Sequence, residues 1–151
     1  MNLLLNNELL LNIGRSTEPQ REFVTRRDIR KYSVATGQRL QKFLAGDEAP
    51  PLYHIALFWD VVELGELSAD GVSVDHLIPE LPLKRAMAGG LKVDYYQPIR
   101  PGDTLIAVRT LSNIYEKHGA SGPLIFYEVV MAVVNDSNAP VLTQKTTRIM
   151  R

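Results

Sequence analysis

The chain has 151 residues, 45% of them apolar, so it makes one domain able to bury about two-thirds of its unfolded surface. Its 17 basic residues balance 17 acidic ones, which excludes attachment to nucleic acid or an anionic membrane by bulk charge. It has no cysteine, hence no disulfide, thiolate metal site or cysteine nucleophile, and imidazole chemistry is left to His54, His76 and His118.

Near the start, Leu3 to Leu5 and Leu9 to Leu11 are apolar, but Asn6, Asn7 and Glu8 divide them. No basic stretch precedes them, and no apolar run reaches the roughly 20 residues of a membrane span. The expectation is a cytoplasmic protein whose leucines pack against the domain edge or a partner. The first clear element is a helix from Thr25 to about Thr36. Thr25 stands three residues before Asp28, a capping box with Asp in place of Glu, and Gly37 stops the helix. Arg26, Arg27, Arg30 and Lys31 give it a solvated basic face or, alternatively, a contact for phosphates.

Residues 38–51 form a connection ending in Ala49-Pro50-Pro51, and Leu52 to Leu67 reads as a second helix. Apolar side chains cover most of its circumference, Asp60, Glu63 and Glu66 share the remaining side, and His54 falls towards the buried side. Such a helix must be wrapped, although its muddy period and β-branched content leave a strand open for part of it. Residues 68–88 are irregular. From Gly89 the pattern changes to strands: 91–96, Thr104 to Tyr115, Leu124 to Val134 and Val141 to Met150. A Gly/Ser hairpin over 118–123 and a turn over 135–138 connect the later ones. The spacing is too close for βαβ crossovers, so the sheet is antiparallel and the single domain, 1–151, is α+β.

The run Met87-Ala88-Gly89-Gly90, with Val93-Asp94-Tyr95-Tyr96-Gln97-Pro98-Ile99-Arg100-Pro101-Gly102-Asp103-Thr104, resembles the MaoC-like dehydratase/hydratase family. The stretches Glu116-Lys117-His118-Gly119-Ala120-Ser121-Gly122-Pro123-Leu124 and Val24-Thr25-Arg26-Arg27-Asp28-Ile29 extend the likeness over most of residues 13–151. The match is in particular to the usually non-catalytic half at the N-terminal side of two-part members. The resemblance implies a hot-dog fold, an antiparallel sheet wrapped around a long central helix, with two such units pairing. It implies acyl thioesters of coenzyme A or acyl carrier protein as substrates, reversible hydration of a 2-enoyl thioester by an Asp/His pair, and no metal or redox cofactor.

The catalytic motif of active members, Gly-Asp-x-Asn-Pro-(aliphatic)-His, has no counterpart here. Gln38 stands where the Asp would be, and an amide cannot take up the proton. Downstream, Asp47 and His54 have the right residue types but lie seven apart with Pro50-Pro51 between them. Catalytic candidates are therefore His54, Asp47 and Asp60, each with an ordinary structural alternative. Asp75-His76 reads as surface loop and His118 as a hairpin or interface residue. Substrate-binding candidates are Arg85, Gly89, Gly90, Lys92 and Lys117, and Lys84 is a further cation for coenzyme A phosphates. For the glycine pair the alternative is a strand start passing close to a helix. No zinc spacing, phosphate loop or nucleophile elbow is present.

Three functions follow from the resemblance. The chain is a groove-shaping subunit that heterodimerises with a catalytic hot-dog subunit, its own helix region making room for a bulky acyl chain. Otherwise it is a self-sufficient homodimeric hydratase using His54 with Asp47 or Asp60, or a non-enzymatic module that binds acyl-coenzyme A.

Overall fold

The computed structural model describes residues 4–69 and 71–151. Its frame is a five-stranded antiparallel sheet. In chain order the strands are β1 (Gln20–Phe23), β2 (Ala86–Tyr95), β3 (Thr104–Gly119), β4 (Gly122–Asn135) and β5 (Pro140–Met150), arranged spatially as β1-β3-β4-β5-β2. Four helical pieces accompany it: α1 (Asn7–Leu10), α2 (Arg26–Ala35), α3 (Gln41–Leu44) and α4 (Tyr53–Leu57). The α+β meander read from the sequence is present, with β1, α1 and α3 added.

The first helix forms as its caps dictate. Thr25 accepts from the Asp28 amide at 3.0 Å and donates to the Asp28 carboxylate at 2.6 Å, and Thr36 closes the other end. Ile29 and Ser33 turn inward, and the buried Ser33 hydroxyl donates to the Ile29 carbonyl at 2.7 Å. At the other end of the chain, the two-residue turn between β3 and β4 puts Gly119 opposite Gly122. Gly122 has φ +121°, open to glycine and strained for other residues.

Along β3 the inward side chains are Leu105, Ala107, Arg109 and Leu111, until a bulge between Leu111 and Asn113 shifts the register and brings Ile114 in. Two apolar clusters result. Helices α2 and α4 cover one, in which Val24, Ile29, Tyr53 and Phe58 meet Leu105 and Leu142. Loop residues Leu77 and Leu81 cover the other, over Leu111, Ile114, Ile125 and Val129.

The expectation of a long helix over Leu52–Leu67 needs correction: α4 has five residues. Leu52 begins it in the left-handed region at φ 68°, and Phe58 already leaves helical geometry. The adjacent β-branched Val61 and Val62, followed by Gly65, have weak helix propensity, and no layer covers them to override it. Trp59, Val61 and Leu64 are 62%, 101% and 88% exposed, so this stretch is not wrapped by the sheet of its own chain.

The glycine pair has a different neighbour from the one expected. Gly89 forms a bulge in β2, and a Cβ there would lie 3.0 Å from Ile149 Cγ1 and 3.1 Å from the Thr147 carbonyl oxygen. It therefore packs against strand β5 and not a helix. Gly89→Ala should cost about 1–3 kcal/mol in chemical denaturation. Gly90→Ala, with nothing within 4 Å of its Cβ, should stay within about 0.5 kcal/mol.

Candidate functional site

The strongest polar constellation lies where α4 meets the sheet. Pro50 and Pro51 stop the preceding chain, and the Leu52 amide donates to the Tyr95 hydroxyl on β2 at 2.9 Å. That anchor sets the first turn of α4, sending Tyr53 and His54 inward, where they are 2% and 0% exposed. His54 Nε2 lies 2.6 Å from Gln144 Oε1 on β5, and Gln144 Nε2 donates to Thr146 Oγ1 at 3.2 Å. Because the Gln144 oxygen is the acceptor, His54 Nε2 carries the proton and Nδ1 presents its lone pair. Nδ1 and the Tyr53 hydroxyl have no hydrogen-bond partner among the described residues. Burial holds the His54 pKa below the ordinary histidine value, against the opposing effect of the Gln144 hydrogen bond. Burial, with the charge of Asp28, pushes Tyr53 up to about 12, so it remains a neutral phenol.

The other catalytic candidates do not join this group. Asp47 is exposed and pairs with Arg26, whose guanidinium also donates to the Ala45 carbonyl at 3.0 Å. Asp60 is exposed and its one hydrogen bond is a long one, 3.5 Å from the Ser73 hydroxyl. Gln38 donates to the Thr36 hydroxyl at 3.4 Å. No hydrogen bond links His54 to a carboxylate among the described residues.

Nor do the basic candidates converge. Lys92 pairs with Asp94 at 3.2 Å on β2. Lys117 sits 5.4 Å and 5.2 Å from the centres of the Tyr115 and Phe126 rings, which stack on each other. Those rings alternate with the buried Ile114 and Ile125, so Lys117 lies over the sheet's outer face. Arg85 is exposed and its backbone pairs with Arg151, while Lys84 bonds Glu80 at 2.7 Å. His118 Nε2 lies 3.9 Å from Glu116 Oε1 beside the hairpin.

Asp75 does more than the sequence suggested. Its carboxylate takes both terminal nitrogens of Arg109 and accepts from the Leu77 amide at 3.2 Å, tying the 71–83 segment over the inner face. Residue spacing carries no signal for a pair 34 positions apart. Asp75→Asn should cost about 1 kcal/mol, given how exposed the pair is, and should speed amide exchange over 75–83 relative to the strands.

Between this strap and α4 the inner face of β5 and β2 is open. Leu91, opposite Thr146, is 48% exposed, and Ala88, opposite Arg148, is exposed as well. The His54–Gln144–Thr146 row therefore leads onto an exposed stretch of the inner face.

Residues 12–144 match the family described as "FAS1-like, dehydratase domain region". The mesaconyl-C(4)-CoA hydratase of Chloroflexus aurantiacus is 34% identical over 86 residues, 56% of this chain and 31% of that protein, so the match spans about a third of the relative's length. Among solved structures, the ChsH1-ChsH2 complex from Mycobacterium tuberculosis aligns with TM-score 0.68 at 13% identity, over 95% of this chain and 86% of that one. The MaoC-like dehydratase from Phytophthora capsici also gives 0.68, at 20% identity, over 97% of this chain and 50% of that one. The HadBC 3R-hydroxyacyl-ACP dehydratase complex from M. tuberculosis gives 0.59 at 18% identity, over 97% and 99%. These structures share the hot-dog fold, so the sheet, its strand order and the family match agree: the chain belongs to the FAS1-like dehydratase-region family of MaoC-like hot-dog proteins.

Proposed function

We propose that this chain is the non-catalytic, groove-shaping half of a two-part cytoplasmic hydratase or dehydratase. Its substrates are 2-enoyl and 3-hydroxyacyl thioesters of coenzyme A or acyl carrier protein, and its companion is a catalytic hot-dog subunit. One observation carries this reading: among the described residues the buried His54 has no acid partner, and it stands beside an exposed stretch of the sheet's inner face. An Asp/His pair moves the proton in hydration. Here His54 is held by an amide, Asp47 by Arg26, and Gln38 occupies the acid's slot. Two similar structures, ChsH1-ChsH2 and HadBC, are themselves complexes of two different chains, and the C. aurantiacus relative is a CoA-thioester hydratase.

Pairing through β2 fits this role. β2 lies at the edge of the sheet with one neighbour, β5, and an unprotected edge strand invites another strand. Exposed Tyr95 and Tyr96, at its end, supply apolar surface for the partner to cover.

The test is catalytic complementation. The purified chain alone should give negligible hydration of crotonyl-CoA, and a companion isolated with it from the native host should carry the Asp/His motif and restore turnover. Robust hydration by the pure chain overturns the proposal. Trp59, the sole tryptophan, reports the same event: its emission should be solvent-like in the isolated chain and shift to the blue when the companion binds.

A second reading rests on the unpartnered His54 Nδ1, a neutral base whose lowered pKa keeps it unprotonated at neutral pH. It makes the chain a self-sufficient hydratase with His54 as the base. It requires the pure chain to turn over and His54→Ala to abolish that turnover while the fold survives. Retained activity in the variant rejects it.

A further inference from the structure

The outer face of the sheet is more apolar than a water-facing sheet requires. Along β4 the outward row alternates with buried residues such as Ile125 and Val129. It reads Leu124, Phe126, Glu128, Val130, Ala132, Val134, apolar everywhere except Glu128. An antiparallel sheet with one solvated face carries polar side chains on that face. Register widens the row into a band. Val108 on β3 stands opposite Ala132 and Ile106 opposite Val134, and Phe23 on β1, opposite Thr104, is 59% exposed. Among the described residues no helix or loop of the chain covers this band. Helices α2 and α4 pack on one inner cluster, and the strap, with Leu4, Leu5 and Leu9, packs on the other. A companion joined along β2 continues the sheet in its own plane, so it leaves the outer face open.

We infer that a second copy of this chain packs on the band, sheet against sheet, about a two-fold axis. The area is large enough. β4 has 14 residues. At the usual strand rise and spacing, β3, β4 and β5 present a face of roughly 45 by 14 Å, about 650 Å² per copy and about 1,300 Å² in all. Specific, stable interfaces start near about 1,200 Å². The charges agree as well. A two-fold contact sets a patch against itself, so a patch with net charge at its centre repels its own copy. Here the charges within the face, Glu128 and Lys145, pair with each other at 2.9 Å. Arg21, on edge strand β1, and Lys117, beside the hairpin, lie at its margins. Aligned sheets pack through interdigitating side chains, and the small Ala132 between Val130 and Val134 leaves a recess for a branched side chain of the copy. The contact lies on the side of the sheet away from His54. It therefore completes no site, leaves the β2 edge free, and is independent of the groove-shaping role; with that role, it joins two two-part units back to back.

Sedimentation equilibrium of the pure full chain at roughly 50 µM should give twice the mass of one chain. Ala132→Lys sets two lysines against each other near the axis and should return the protein to single copies. Ala132 is exposed in the single chain, so this variant should keep the wild-type circular-dichroism spectrum. Val130→Thr keeps the side chain's shape and buries one hydroxyl from each copy. It should weaken dimerisation at least roughly tenfold, and it carries the test if Ala132→Lys does not fold. A wild-type chain that stays single at this concentration overturns the inference, whether or not the companion later covers the band. A dimer that survives both variants overturns it too, because it places the contact on the β2 edge or another surface. In either case the groove-shaping role stands or falls separately, on catalytic complementation.

Discussion

Replacing His54 by alanine should destabilise the isolated domain by about 3–5 kcal/mol, measured as a shift of the urea midpoint at neutral pH. Two losses add. Removing a fully buried ring leaves a cavity between α4 and β5. The Gln144 carbonyl then loses its 2.6 Å partner and becomes a buried acceptor without a donor, which costs a further 1–3 kcal/mol or so. The same residue sets a pH dependence. Burial lowers its pKa, so the unfolded chain takes up a proton near pH 6.5 that the folded chain resists. Its contribution is therefore complete above about pH 6.5 and is lost as the pH falls below that, by up to about 1.4 kcal/mol per unit. His54→Gln should fold without that component. A slope identical in wild type and His54→Gln would show that the folded protein takes up this proton just as the unfolded chain does.

Much of this architecture is legible in the sequence because it is local. The Thr25/Asp28 cap, the Gly-rich hairpin and the alternation of β3 to β5 are short-range patterns, and each appears where it was read. Failures occur where one segment depends on a distant one. Leu52–Leu67 has the apolar content of a wrapped helix, but without a layer over it the Val61-Val62 pair and Gly65 leave five helical residues. β1 is four residues long and holds its place by pairing with Leu105 and its neighbours, more than 80 positions away. For the site, His54 is visible in the sequence as a histidine on a buried face. The partner of that histidine, Gln144, is 90 residues distant.

The two apolar clusters should respond differently to truncation, and the difference bears on how the inner face is covered. Ile125→Ala, at a fully buried position in β4, should cost about 3–5 kcal/mol and lower protection across all the long strands. β4 runs through both clusters, since Val129 belongs to one and Met131 to the other, so a defect in it cannot stay local. Leu81→Ala removes a comparable side chain from the strap, which has no regular structure and is tied down by Asp75–Arg109 and a few apolar contacts. The strap can open while the sheet stays folded, so opening caps the global loss at the strap's own docking energy. The expected result is less than half the Ile125→Ala effect, with amide exchange accelerated over 75–83 and unchanged in β4. Equal global losses would show that the strap folds as one unit with the sheet. A local opening would leave the sheet and its β2 edge intact while the strap moves, which is the behaviour the proposed groove-shaping role needs to admit acyl chains of different bulk.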